Sequence, residues 1–343
     1  MVTVAVDAGG ADLGPAEVAA GATQAAALGV GVLLFGPAAE IGAVGDGVEV
    51  IDAPISIAKA KDPAYAVRST PEASIVQAAR AVADGRAQAF VSGGSTGTAL
   101  AAGLFNVRRD RGIYRPALAL PLPMLAGPPV LLLDVGANVS CRPEHLVQFA
   151  HMGSAFSHAV LGRERPRVAL LSNGEEAMKG TAELIEVYKR LAGESGVGLN
   201  FIGNIEGTHI TDGVADVVVM DGFIGNVTLK VIEGVSGRTL RGVHDASMSS
   251  PRSRLGSWMM APAMRDLEAG IDPEAPGGAY LLGLRRLGVV AHGRFTRTGY
   301  QRAIEVAARG VEEDVISATR AALATAGALR TPAAGREETR EDE

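Results

Sequence analysis

The chain has 343 residues, 47% hydrophobic but only 4% aromatic, with 44 glycines, enough for a large buried core in one domain or two interlocked subdomains. A charged fraction of 20% argues against disorder, and a formal net charge of −6 disfavours a protein that coats nucleic acid. The single cysteine, Cys141, excludes an internal disulfide and a multi-cysteine zinc site.

Met1–Val6 has no basic leader, so no secretory signal is expected and the protein is placed in the cytoplasm. Val2–Val6 reads as a strand ending at Asp7, and Pro15 opens a helix that ends near Leu28. Val30–Phe35 and Val48–Ile51 are further strands. Glu72–Ala83 is a helix leading to the strand Ala89–Ser92 and the turn Gly93–Gly97. The apolar stretch Ala117–Leu133 holds Pro121, Pro123, Pro128 and Pro129, and so reads as two buried strands around a turn and not as a membrane span. Its second strand, Val130–Leu133, feeds Asp134–Asn138, and a helix follows from Pro143 to about Leu161. Val168–Leu171 runs into Ser172–Glu176, with a helix beginning near Gly180, and Val214–Met220 runs into Asp221–Asn226. Helices dominate from Val227 to about Leu267, with Pro262 interrupting them. Gly278–Leu284 reads as another helix, Val289–Val290 as a short strand, and Gln301–Ala324 as a last helix. The tail, 331–343, is charged, lacks a hydrophobic pattern and is expected to be disordered. Strands alternating with helices predict an α/β fold, a three-layer αβα arrangement around a mostly parallel sheet.

At least five strand ends feed a Gly, Asn, Ser or Asp turn that opens a helix. Such turns present unpaired N–H groups and suit a phosphate-like anion, and they are expected to share one sheet edge and one cavity. They nominate Asp12, Gly94, Ser95, Thr96, Gly97, Asp134, Asn138, Gly174, Glu175, Asp221 and Gly225 as phosphate- or substrate-binding residues. Asp7, Asp12, Asp134 and Asp221 could together hold a metal, but single acids at strand ends more often cap turns, so no metal is expected. A nucleotide P-loop and a dinucleotide G-x-G-x-x-G are both missing, and no cofactor is expected. No G-x-S-x-G elbow is present, and the Cys141–His145 pair reads as an inert buried thiol before a thiol–base pair. Lys179 lies between a glycine turn and a helix N-terminus, where a cation opposes the helix dipole unless an anion meets it. That anion is either Glu175 or Glu176, or a bound phosphate. Asn226 either caps the following helix or donates to a developing oxyanion.

These turns, in this order, resemble the PlsX family of phosphate acyltransferases in bacterial phospholipid synthesis. The resemblance runs from about Val4 to Ala308. It is carried by Val130–Val139, Leu146–Gly153, Phe201–Gly207, Asp221–Lys230, and Gly277–Ala279 with Leu281–Gly283. It implies transfer of a long acyl chain from acyl carrier protein to inorganic phosphate, and a fold like the phosphate acetyltransferases and isopropylmalate dehydrogenases. It also implies a homodimer, with the catalytic lysine and asparagine falling on Lys179 and Asn226. Some turns depart from the family's pattern: Asp7–Pro15 lacks its methionine, Ser92–Thr98 reads S-G-G-S-T-G-T, Ser74 stands in A-S-I, and His292 stands in A-H-G-R-F. His292 is carried over as a substrate-binding candidate. The departures leave open a divergent paralogue that scaffolds lipid enzymes at the membrane. A short-chain acyl-CoA enzyme is the nearest alternative.

An acidic carrier protein needs a basic landing surface, for which Arg108, Arg109, Arg111 and Arg115 form one candidate and Arg163, Arg165 and Arg167 another. In the resembled family the segment near 227–270 serves dimerisation and peripheral membrane contact. Here Leu255, Trp258, Met259, Met260 and Met264 interleave with Arg254 and Arg265, as an anionic membrane surface would require.

Overall fold

The computed structural model describes residues 1–194 and 198–330. Strands are β1 (Thr3–Asp7), β2 (Gly31–Gly36), β3 (Val48–Asp52), β4 (Ala89–Ser92), β5 (Ala117–Leu122), β6 (Val130–Leu133), β7 (Arg167–Leu171), β8 (Asn200–Ile205), β9 (Val217–Val219), β10 (Ala279–Leu282) and β11 (Leu287–Val290). The helices are α1 (Pro15–Ala27), α2 (Ala38–Ile41), α3 (Pro63–Ser69), α4 (Ser74–Ala83), α5 (Thr96–Ala102), α6 (Pro143–Ala159), α7 (Ala182–Glu194), α8 (Thr208–Thr211), α9 (Gly222–Met248), α10 (Pro251–Gly270), α11 (Arg297–Glu312) and α12 (Val315–Thr325). A π turn, Gly103–Val107, follows α5.

All the strands join one sheet in the order β3-β2-β1-β4-β11-β10-β5-β6-β9-β7-β8. Successive residues of a strand point to opposite faces, and the sequence supplies apolar residues at both parities. Val4, Val6, Leu131 and Leu133 enter one core, while Ala5 and Leu132 enter the other. Two-sided burial is what the continuous run Val130–Leu133 encodes, and helices cover both faces. The expected αβα layering is the one observed.

Strand polarity decides where the turns go. β2, β3, β4 and β11 run parallel with β1, and β7, β8 and β9 run parallel with β6. Between these halves β10 and β5 are each antiparallel to both neighbours, so three successive reversals leave the halves pointing opposite ways. The turns therefore form two groups that leave their strands in opposite directions. The pairings of Leu133 with Ala119, Ala119 with Tyr280 and Tyr280 with Val289 set the carboxyl ends of both halves at one level of the sheet, so the two groups approach it from opposite sides instead of sharing the single expected edge. The helix expected over Gly278–Leu284 is the central strand β10. Gly277 and Gly278 hold φ of 71° and 122°, outside helical values, and a four-residue apolar run carries no periodicity to separate strand from helix. The last predicted helix is two, broken where Asp314 takes φ 46°. Pro262 lies inside a continuous α10 and does not interrupt it. The tail 331–343 lies outside the described residues.

Asp7, at the end of β1, ties the first half together. It is buried and accepts hydrogen bonds from Ser74 Oγ at 2.6 Å, Ser92 Oγ at 2.7 Å and the Gly9 amide at 3.0 Å, joining β1, β4 and the start of α4. Burial raises its carboxyl above the ordinary 3.8 despite those donors. The native state keeps this proton where the unfolded chain has lost it. The group's stabilising contribution is thus full below pH 3.8 and is lost as pH rises through the raised native value. Stability of Asp7→Asn relative to the parent should therefore climb from about pH 4 by at most ~1.4 kcal/mol per pH unit and then level off, as urea denaturation would measure. A gap that narrows as pH rises would contradict this account.

Candidate functional site

The first group of turns follows β1, β4 and β11, which are adjacent. Gly10 packs against the Gly94 backbone, and the Asp12 amide donates to the Gly293 carbonyl at 2.7 Å. Ser95 caps α5, its hydroxyl accepting from the Thr98 amide at 3.2 Å, so Gly94, Ser95, Thr96 and Gly97 form the entry to that helix. His292 sits beside them, its Nδ1 accepting from the Arg294 amide at 3.2 Å. Burial first, and then the nearby charge of Lys230, hold its imidazole below the usual 6.5. Lys230 belongs to α9 and pairs with Glu233 at 2.7 Å. Helix α9 thus links the groups: its first turn belongs to the second, and Lys230, about two turns on, lies near His292 of the first.

The second group follows β6, β9 and β7, also adjacent, and contains both predicted catalytic residues. Asp134 takes φ 66°, and its carboxylate accepts from the amides of Gly136 (3.2 Å), Ala137 (2.7 Å) and Asn138 (3.0 Å) and from Asn138 Nδ2 (2.8 Å). Asn138 Nδ2 also donates to the Pro116 carbonyl at 2.8 Å. The side chains of Asp134 and Asn138 are thereby engaged in building the turn. Asp221 likewise caps α9, accepting from the Ile224 amide at 2.8 Å. The first turn of α9 presses on the 134–138 loop: the Gly222 amide donates to the Asn138 carbonyl at 2.8 Å, and a Cβ at Gly225 would overlap the Asp134 carbonyl oxygen. One residue on, Asn226 is exposed, and its side chain stands about 4.0 Å from the space a Gly136 Cβ would fill. It makes no hydrogen bond among the described residues, so its amide is free to donate.

Lys179 rises from the neighbouring turn. Gly174 is buried, and a Cβ there would come within 2.7 Å of Lys179 Cγ, so the lysine stem lies over the glycine. The Lys179 amide donates to the Glu176 carbonyl at 2.9 Å, and Asn204 Nδ2 holds that same carbonyl at 3.0 Å. Of the two acids that might have neutralised Lys179, Glu175 faces His209 at 3.3 Å, and neither makes an ion pair with the lysine among the described residues. The Lys179 ammonium is exposed and makes no ion pair among the described residues. Cys141 is the opposite case: burial and the charges of Asp134 and Asp221 push its thiol up to about 12, and His145 Nδ1 accepts from the Arg142 amide, so no thiolate–imidazole pair forms.

Ser74, His209, Asn204 and Lys230 were not among the sequence candidates. No local pattern links residue 74 to residue 7, or 230 to 292; only the folded sheet does.

A sequence model of the family described as "Fatty acid synthesis protein" matches residues 2–318. The chain is 42% identical over 330 residues to the phosphate acyltransferase of Moorella thermoacetica, covering 92% of this chain and 94% of that one. It belongs to this phosphate acyltransferase family. The fold is shared more widely. A phosphotransacetylase from Streptococcus pyogenes superposes with a TM-score of 0.58 over 91% of this chain and 94% of its own, at 17% identity. A branched-chain phosphotransacylase from Enterococcus faecalis does so with 0.57 over 91% and 99%, also at 17%. In family terms, the elements that meet at α9 are the resemblance segments Val130–Val139 and Asp221–Lys230. The glycines in them are where two backbones touch.

Gly225→Ala should therefore act on catalysis through position. The added methyl forces the first turn of α9 off the 134–138 loop, and Asn226 moves with it. A loss of roughly 2 kcal/mol or more in stability and a fall in kcat larger than any rise in KM are expected from denaturation and steady-state kinetics. A variant with parental kcat would show that the close approach does not place Asn226.

Proposed function

We propose that the protein transfers a long acyl chain reversibly from acyl-acyl carrier protein to inorganic phosphate, giving an acyl phosphate for phospholipid synthesis. The observation that supports it most is the unpaired Lys179, held by a buried glycine turn on the same sheet edge as Asn226 and the N-terminus of α9. An ammonium, a helix N-terminus and turn amides together suit a phosphate dianion. A phosphate oxygen attacks the thioester carbonyl carbon, forming the new C–O bond, and Asn226 Nδ2 donates to the oxyanion that develops. Collapse breaks the C–S bond, and the carrier leaves as its thiolate, which takes up the proton that the attacking hydrogen phosphate gives up as the acyl phosphate forms. In this reading Lys179 grips phosphate and Asn226 serves the intermediate. Asp134, Asn138, Asp221, Gly174 and Gly225 shape the pocket, and Asp12, Gly94–Gly97 and His292 face the substrate from the other group across α9.

The direct test supplies palmitoyl-acyl carrier protein with and without phosphate and traps product with hydroxylamine. Phosphate-dependent hydroxamate is expected from the parent protein. Lys179→Ala and Asn226→Ala should each lower kcat about 100–1,000-fold, with Lys179→Ala also raising KM for phosphate. Near-parental turnover of Lys179→Ala at saturating phosphate would refute its role, and parental protein giving no hydroxamate would refute the activity.

The exposed apolar residues of α9 and α10 support a reading of pairing and location. Leu255 (62% exposed), Trp258 (76%) and Met259 (70%) stand open on α10, and Val231 and Val235 on α9. No helix among the described residues is long and apolar enough to cross a membrane. We assign this surface to pairing with a second copy and to peripheral contact with an anionic membrane at the cytoplasmic face, with Arg252 and Arg254 meeting lipid headgroups. The protein should float with phosphatidylglycerol vesicles and not with phosphatidylcholine vesicles, and Trp258→Glu should abolish flotation. Parental protein remaining at the bottom of the gradient with both would remove the membrane role.

A further inference from the structure

Beside the second group of turns lies a cavity of about 590 Å³ lined by Arg108, Arg111, Arg285, Arg286 and Arg320, with Asn106 and Ser317 as its other polar side chains. Its walls come from the π turn after α5, the loop joining β10 to β11 and the start of α12. The Arg285 amide donates to the Arg108 carbonyl at 3.0 Å, and the Asp110 amide donates to the Gly283 carbonyl at 2.9 Å, so the two loops that carry these arginines are one unit. Asp110 is buried and engages Arg320. The guanidiniums of Arg108, Arg111, Arg285 and Arg286 make no ion pair among the described residues. Arg108 also adopts φ 71°, a conformation side-chain-bearing residues avoid, directly after the π turn. Arg109 and Arg115 extend the positive field, and burial together with the charges of Arg330 and Arg115 holds the Arg109 guanidinium below its usual range.

We propose that this arginine cavity is the landing site of the acidic carrier protein, whose negative surface and prosthetic-group phosphate it neutralises; this rests on the carrier-protein reading above. The other basic candidate is less suited, because Arg163 and Arg167 both lean on Asp216, at 3.8 Å and 3.0 Å. Position favours the cavity as well. The β10–β11 loop leaves the same sheet edge as the turns after β6, β9 and β7, since Leu282 pairs with Ala117 and the Asp134 amide donates to the Leu118 carbonyl. From β10 to β9 is three strand spacings, roughly 15 Å. Arg115, whose guanidinium reaches Asn138 Oδ1 at 3.5 Å, lies between. A donor docked at the arginines would extend its flexible thioester arm along that edge to Asn226. A second copy of this chain is a poor occupant, because a twofold axis through the cavity would set like charges face to face.

The test compares the parent with Arg285→Glu/Arg286→Glu in the hydroxamate assay, using palmitoyl-acyl carrier protein as donor. KM for the donor should rise about tenfold or more, with kcat and KM for phosphate within about twofold, and the parental donor KM should rise with salt while the variant's responds less. Arg285→Gln/Arg286→Gln should shift donor KM in the same direction by less. Lys189→Glu/Arg190→Glu, which changes net charge equally on α7, should leave it unchanged. Thermal melts establish that each variant is folded, and should the Glu pair fail to fold, the Gln pair and Arg108→Gln carry the comparison. Unchanged donor KM in folded cavity variants of an active parent would overturn the docking site while leaving the reaction intact. A parent inactive with this donor would instead remove the reaction on which the site rests. Displacement of bound carrier protein by inorganic phosphate at the concentration that saturates turnover would show a simple phosphate site and would also overturn the proposal.

Discussion

The arrangement of the site depends on one close contact, the first turn of α9 against the Asp134–Asn138 loop. Two glycines allow it, because any side chain at Gly225 would occupy the position of the Asp134 carbonyl, and one at Gly222 would meet the Asn138 backbone. Asp134 makes the loop rigid enough to be pressed upon, by spending its carboxylate on four backbone amides and one side chain. A buried carboxylate is expensive without such donors, and here nearly all its acceptor capacity is used. The result is that Asn226 is positioned by backbone packing, not by a partner of its own, and its amide stays available.

The three antiparallel pairings at the centre of the sheet set the remaining geometry. Had β10 and β5 been absent or parallel, every strand would have emptied onto one edge and all the turns would have met there. With them, the two groups of turns approach one level of the sheet from opposite directions, and Lys179 and Asn226 stay with the turns after β7 and β9. The other group is reached through α9, whose Lys230 and Glu233 lie close enough to His292 to bias its protonation. Lys230 stands eight residues after Gly222, about 12 Å along α9, so the first two turns of the helix are enough to link the groups.

Much of this was readable from residues alone. Uniform apolar runs such as Val130–Leu133 signal strands buried on both faces, and each one closing on Gly, Asn or Asp marks where a ligand edge begins. Lys179 stood out because a cation before a helix opposes its dipole, and Asn226 because an amide closes the turn after an apolar strand, though each also had an ordinary local reading. What was illegible is whatever depends on strand direction. Four residues from Ala279 to Leu282 carry no period, and a sequence does not say whether its neighbours run with it or against it. Partners distant in sequence were equally hidden: Ser74 with Asp7, Glu176 with Asn204, and Arg285 with Arg108 meet only once the loops are placed.

The charge distribution gives the arginine cavity a further consequence. A chain with a net charge of −6 repels an acidic protein on average. Attraction must therefore be local, and the five cavity arginines supply it where one buried aspartate offsets only part of their charge. Repulsion elsewhere then works in favour of selectivity, because an acidic partner that approaches any other face is turned away. The same logic explains why Arg163 and Arg167 are compatible with a productive encounter: both pair with Asp216, which offsets part of that surface's charge and makes it a weaker competitor for the donor. Under the docking proposal, an acidic body with a basic recess on the sheet edge that carries Asn226 would orient the donor before its thioester meets phosphate.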